Sequence, residues 1–188
     1  MNILVRQVSE EDFSFVFSLA SDAVKYQVSP LRENLNMEKA RENYLRDLEI
    51  VSSNLSSYPN SHFLIAISEG EKAGFLLLAT DVSESTTGIE QAWIFDIAFY
   101  DHYWESDVPH KLLDYAEDLA REKGLHHIAL QLVCSHEKAL NFFKSRGYEE
   151  ERKRMYKKLP FEAKESDTYR KDLLKALEGI KFKFNIKK

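Results

Sequence analysis

The sequence predicts an α+β domain, a mixed and twisted central sheet flanked by helices. Three observations carry that reading. The stretch from Trp93 to Tyr148 runs as strand, tight turn, helix, strand and helix, and a helical crossover between two strands sets them parallel in one sheet. Two apolar runs, 62–68 and 73–80, are separated by Glu69-Gly70-Glu71-Lys72, which is a hairpin pattern. The four prolines, at 30, 59, 109 and 160, fall at element boundaries, where a fixed φ and a missing N–H do no harm.

The elements follow in order. Ile3 to Val8 reads as a first strand. Ser9 and Asp12 have the spacing of a capping box, and Phe13, Val16, Phe17, Ala20 and Val24 trace one face of a helix ending near Tyr26. After a loop at Pro30, Asn36 caps a second helix through Met37, Ala40, Tyr44, Leu48 and Val51. The hairpin comes next, then a polar loop from Asp81 to Thr87, then the strand run from Trp93 to Tyr100. A helix with Val108, Leu112, Tyr115, Ala116 and Leu119 on one face stops at Gly124. Ile128 to Val133 gives another strand, and His136 to Arg146 a short helix closed by Gly147. A last strand is expected from Tyr148 towards Leu159. Beyond Pro160, Leu173, Leu174 and Leu177 mark a helix, and Ile180, Phe182, Phe184 and Ile186 alternate as a strand does. That strand needs a partner, either an edge of its own sheet or a second subunit, so a homodimer through the extension is one expectation. The domain reading is therefore 1–159 with an extension at 160–188.

Composition narrows the function classes. With 188 residues, 44% hydrophobic and 12% aromatic, the chain is long enough to bury one substantial core. A formal net charge of −5 argues against general nucleic-acid binding, and the basic run from Arg152 to Lys158 reads first as a solvated face. The single Cys134 excludes an internal disulfide framework and suits a reducing, cytoplasmic setting. The longest apolar run, Phe75 to Ala79, is too short to span a bilayer. Six histidines show no Cys/His spacing of a zinc site, so no metal is expected. Cys134, between Val133 and Ser135, reads first as a buried small residue.

The order of elements and the residues Asp96-Ile97-Ala98-Phe99, Tyr103, Val108, Leu112-Leu113, Ala139, Phe142, Gly147 and Tyr148 resemble the core of the GCN5-related N-acetyltransferase family. The resemblance covers the core but lies mostly in packing positions. It implies acetyl-CoA as co-substrate, an amine acceptor on a small molecule or peptide, and two strands that part just past Ala98 to admit the pantetheine arm. It also implies cofactor-binding roles for Ile97, Ala98, Phe99, Val108 and Lys111.

The chemical positions depart from the family pattern. Where it places Arg-x-x-Gly-x-Gly, this chain has Trp104, Asp107 and Pro109, with Glu105 and Ser106 between. Glycines there let backbone N–H groups converge on a pyrophosphate at a helix N-terminus; proline has no N–H, and carboxylates repel phosphate. The plainer account is a helix start with Ser106 or Asp107 as N-cap and Pro109 in the first turn. Trp104 either stacks on an adenine or covers the core. The tyrosine that many members use to protonate the leaving thiolate is Phe143, the usual asparagine is His136, and the strand glutamate some members use is Gln131. Asp96 and His136 flank the expected slot and are the catalytic candidates. Two readings follow: an acyl-CoA-dependent N-acetyltransferase acting by direct attack, or a non-catalytic ligand-binding or dimerisation module of the same fold.

Overall fold

The computed structural model describes residues 2–53 and 59–159. The expected helix and strand beyond Pro160, and the dimer built on them, lie outside those residues. Residues up to Glu150 form one compact unit. Residues 151–159 are exposed and carry no regular secondary structure, and neither do 148–150. The strand expected over 148–159 is therefore not formed. Its sequence is dominated by charged side chains that favour water, and its apolar residues, Tyr148, Met155, Tyr156 and Leu159, do not alternate.

Five strands form one sheet in sequence order, β1 (Ile3–Gln7), β2 (Ser61–Ser68), β3 (Glu71–Ser83), β4 (Glu90–Phe99) and β5 (Ile128–Leu130). The first four are antiparallel to their neighbours, and β5 is parallel to β4. The hairpin turn between β2 and β3 places Glu69 at φ 51° and Gly70 at φ 88°, the left-handed pair that a two-residue turn requires. Helices α1 (Phe13–Gln27) and α2 (Met37–Ser53) follow β1, α3 (Val108–Glu122) joins β4 to β5, and α4 (Glu137–Ser145) follows β5. Among the described residues no helix is long and apolar enough to cross a membrane.

The core lies in two layers because side chains alternate along each strand. Leu76 and Leu78 of β3 pack with Leu112, Leu113 and Ala116 of α3 and Phe143 of α4. Phe75 and Leu77 pack on the other face with Val16, Leu19 and Ala20 of α1 and Leu48 of α2. Leu113 and Ala120 complete the buried stripe of α3, whereas Tyr115, expected within it, is exposed. Arg146, after α4, donates to Asp114 at 2.7 Å and Glu117 at 3.2 Å, tying α4 back to α3.

Two details govern the ends of the sheet. At the β1 end, Asp12 is fully buried and accepts from Arg6 at 2.6 and 3.1 Å, from the Ser9 N–H at 2.9 Å and from its hydroxyl at 2.8 Å, and Lys72 lies 2.7 Å away. The capping box read from the sequence is thus present, and it is extended into an ion-pair cluster. Towards the end of β4, a Cβ on Gly74 would come within 2.7 Å of both the Ala98 carbonyl oxygen and the Phe99 Cβ, so only glycine lets β3 and β4 approach this closely there.

Candidate functional site

The site begins with a fault in the strand ladder. Leu77 of β3 pairs with Asp96 and Leu78 with Ile94, so Phe95 has no counterpart and bulges from β4 with 57% of its surface exposed. One extra residue reverses the alternation that follows. Ala92 and Ile94 face α3, and beyond the bulge Ile97 and Phe99 do so as well, while Ala98 packs against the α1–α2 face. Asp96 is aimed the same way as Ala98. Without the bulge it would share the face of Ile94.

The same point marks where β4 and β5 separate. Their pairing runs Ala92 with Ile128, Trp93 with Ala129 and Ile94 with Leu130, and there β5 ends although β4 continues to Phe99. The parting expected past Ala98 thus occurs earlier, after Ile94, because the bulge twists β4 away and the chain beyond Leu130 turns off towards α4. The strand expected to reach Val133 is correspondingly short. Between the diverging strands lies a cleft of about 70 Å³. Its β4 wall is the stretch from Ile94 to Phe99, and among the described residues the outer edge of β4 beyond Ile94 has no strand partner.

Asp96 sits in this cleft with 7% of its surface exposed. The Tyr44 hydroxyl donates to one carboxylate oxygen and the Gln27 side-chain amide to the other, at 3.2 Å. Burial pushes the Asp96 carboxyl up to about 6, although the Tyr44 hydrogen bond and the Ile97 backbone N–H pull it down. Burial, followed by the charge of Asp96, raises the Tyr44 hydroxyl well above its ordinary value, so Tyr44 remains a donor at neutral pH. The partners of Asp96 are all neutral. That leaves a carboxylate whose proton is gained and lost near physiological pH.

The second candidate, His136, lies immediately before α4 and lines the same cleft. Its ring stacks on Tyr26 of α1 with centroids 4.6 Å apart and planes within 4°, and Trp104 meets it edge-on at 5.6 Å. Burial lowers the imidazole pKa, with Asp101 pulling the other way. The Tyr26 hydroxyl donates to both Asp101 oxygens at 2.9 Å. Tyr26, Trp104 and His136 come from three separate elements and meet at the mouth of the cleft. Trp104 also packs edge-on against Phe99 at 4.7 Å and Phe142 at 6.0 Å, and it is partly buried. Phe143 forms part of the inner wall and brings no exchangeable proton.

The residues expected to bind cofactor divide into two groups. Ile97, Ala98 and Phe99 line the cleft. Val108 is fully buried, and its N–H donates to the Ser106 hydroxyl at 3.2 Å, which in turn donates to the Tyr103 carbonyl at 2.8 Å. Lys111 is exposed, lies 3.9 Å from Asp114 and is not among the residues lining the cleft. Asp107 occupies the N-cap position without a side-chain cap bond, so the capping task falls to Ser106. With Val108 engaged and Pro109 lacking an N–H, the first turn of α3 does not fit a pyrophosphate. The β4 wall does fit an extended pantetheine arm, whose amides can pair with an open strand edge.

Tyr26, Gln27, Tyr44, Asp101 and Trp104 complete the site. Trp104 was singled out by its place in the turn before α3, and the signal for Gln27 and Tyr44 is indirect: a carboxylate within an apolar strand needs polar partners from elsewhere in the chain. Cys134, expected to be buried, is exposed and does not line the cleft.

Comparison with known proteins agrees with this architecture. The N-acetyltransferase PaiA of Thermoplasma acidophilum, solved in complex with coenzyme A, is 21% identical, with a TM-score of 0.65 over 80% of this chain and 92% of that one. An aminoglycoside acetyltransferase from an uncultured soil metagenomic sample, solved with sisomicin, is 17% identical, with a TM-score of 0.55 over 84% and 97%. A transcriptional regulator of Bacillus halodurans is 16% identical, with a TM-score of 0.61 over 84% and 100%. At these identities the likeness is one of fold. No curated protein matches by sequence. A family model described as Acetyltransferase (GNAT) family matches residues 29–148, a span that includes α2, β2 to β5, α3, α4 and the parting strands themselves. The chain belongs to the GNAT acetyltransferase family.

Proposed function

We propose that the protein transfers an acyl group, acetyl in the simplest case, from the thioester of coenzyme A to an amine by direct attack. The observation that carries this reading is Asp96, a buried carboxylate with only neutral partners, aimed by a strand bulge into the cleft beside an open strand edge. An amine arrives at neutral pH as an ammonium ion and must lose a proton before it attacks. A carboxylate with a pKa near 6 accepts that proton better than an ordinary one and is still ionised at pH 7. The freed lone pair adds to the thioester carbonyl carbon, backbone N–H groups along the open β4 edge are placed to support the oxyanion, and collapse breaks the C–S bond. The thiolate leaves and takes a proton. That proton is the one the attacking nitrogen still carries after addition; Phe143 cannot relay it, whereas the His136 imidazole in the same wall can, taking it on one ring nitrogen as it gives one from the other.

The acceptor is a small-molecule or peptide amine. Sisomicin in the metagenomic acetyltransferase supports an amine-bearing acceptor for this fold, and a lining with two aspartates and no lysine or arginine favours a cationic one. The exposed Cys134 supports a reducing, cytoplasmic setting.

A second reading, a binding module without catalysis, is favoured by one observation, the closed first turn of α3. Calorimetry with acetyl-CoA, combined with thiol release in the presence of a panel of amines, separates the two. Micromolar binding and amine-dependent thiol release that is lost in Asp96→Asn support the transferase. Binding without turnover under any amine favours the module, and no heat with acetyl-CoA or with acetyl-pantetheine removes the transferase reading.

A further inference from the structure

A coenzyme A thioester brings phosphates to the mouth of the cleft, and the first turn of α3 has little to offer them. The Val108 N–H is engaged by Ser106, Pro109 has none, and Glu105 and Asp107 are exposed carboxylates. Among the described residues the lining contains Asp96 and Asp101 and neither lysine nor arginine. Counter-charge must therefore come from side chains set against the lining.

Two lysines are so placed among the described residues. Lys25 lies 4.7 Å over the Tyr26 ring and 3.7 Å from Asp101, whose carboxylate offsets it. Lys138, in the first turn of α4, holds its ammonium 5.4 Å over the Trp104 ring and forms no ion pair among the described residues. Trp104 leads by contact to Phe142 at 6.0 Å, and Phe142 to the His110 ring of α3 at 5.1 Å. Ammonium, indole, phenyl and imidazole thus form a continuous patch along the α3–α4 side of the mouth.

We propose that Lys138, assisted by His110, is a displaced phosphate site for the thioester donor, in which side-chain charge replaces the backbone cradle missing from α3. The inference rests on the transferase reading, since it presumes that the thioester arm lies in the cleft. A mobile ammonium resting on an aromatic face is held weakly and can move to a stronger anion. A charge-assisted contact between Lys138 and a phosphate is worth about tenfold in affinity.

The test compares acetyl-CoA with acetyl-pantetheine, which lacks the pyrophosphate and the nucleotide, on the whole chain, Lys138→Ala, Lys138→Glu and a Glu105→Gly, Asp107→Gly, Pro109→Gly variant. The expected result is an affinity ratio of about ten in favour of acetyl-CoA that shrinks with added salt, collapses towards one in Lys138→Ala and inverts in Lys138→Glu. A ratio of one in the unaltered protein overturns the site. So does a ratio that persists in both Lys138 variants, or one that rises in the triple-glycine variant independently of Lys138, because the phosphates would then sit at α3. If acetyl-pantetheine binds and the ratio fails, the displaced site alone has fallen. If neither thioester binds, the transferase reading has fallen with it. Lys138 is exposed, and an unchanged thermal midpoint in its variants keeps the comparison free of folding effects.

Discussion

Asp12 and Asp96 are two buried carboxylates set against one sheet. Asp12 is met by Arg6, Lys72 and two donors of Ser9, which hold it well below the ordinary carboxylate range. Asp96 is met by a phenol, an amide and a backbone N–H, and burial wins over them to lift it to about 6. What differs is compensation. A buried charge with cationic partners is locked as part of the architecture, whereas one with neutral donors keeps its proton exchangeable near physiological pH. The first arrangement fastens β1, the turn before α1 and β3 together, and the second leaves a carboxylate lining a cleft, the base of the proposed transfer.

The comparison can be broken most sharply at Asp96. Asp96→Asn keeps the shape and the acceptor oxygen but cannot take a proton, and kcat/KM should fall by about 10² to 10⁴-fold with the fold intact. Thiol-release kinetics on an accepted amine, read beside a thermal melt, check this. An active Asp96→Asn enzyme would assign the base elsewhere. Asp12→Ala should behave in the opposite way. Removing one partner of a buried pair strands Arg6 and Lys72, so stability falls by about 3–5 kcal/mol in denaturant titration, while the pH dependence of the surviving activity is unchanged.

The two residues also predict opposite effects of pH on stability. The folded-state pKa of Asp12 is depressed, so its contribution is present above the unfolded value near 4 and is lost as pH falls further. The folded-state pKa of Asp96 is raised, so its contribution is complete below about 4 and is lost as pH rises through about 6, amounting to on the order of 2–3 kcal/mol by neutral pH. Melting curves of Asp96→Asn should therefore gain on the parent protein between pH 4 and 7, and those of Asp12→Asn should lose their acid dependence. Activity should show an acid limb near pH 6 from Asp96. The smallest expected effect is at Tyr44. Tyr44→Phe removes a hydrogen bond that lowers the Asp96 pKa, so the acid limb of kcat/KM should shift upward by roughly half a unit to one unit. A downward shift would mean that Tyr44 does not stabilise the ionised form.

Much of the scaffold was legible in the chain because its signals are local. The Glu69-Gly70 turn follows from backbone conformations few residues adopt, the Ser9–Asp12 box from a spacing of three, and the stripes of α1 and α3 from helical periodicity. Asp96 and His136 were also legible as candidates, and the structure lines the same cleft with both. Three features were not. The bulge at Phe95 lies in a run that reads as uninterrupted strand, since an unmatched residue is defined only against β3. Tyr44 and Gln27 reach Asp96 across 52 and 69 residues of sequence, and periodicity places Tyr44 on a buried helix face without naming its partner. The stretch 148–159 stands where the order of elements asks for a last strand but forms none, because its residues are mostly charged and an order of elements does not supply a neighbour to pair with.

The sequence by itself therefore determined the α+β class, the order of elements from β1 to α4, and a start of α3 without the glycines its family places there, each a property of adjacent residues. Only the tertiary structure decided where β4 and β5 separate, which way Asp96 points and what surrounds it. Burial and long-range partners, not residue type, set whether a carboxylate is an anchor or a base.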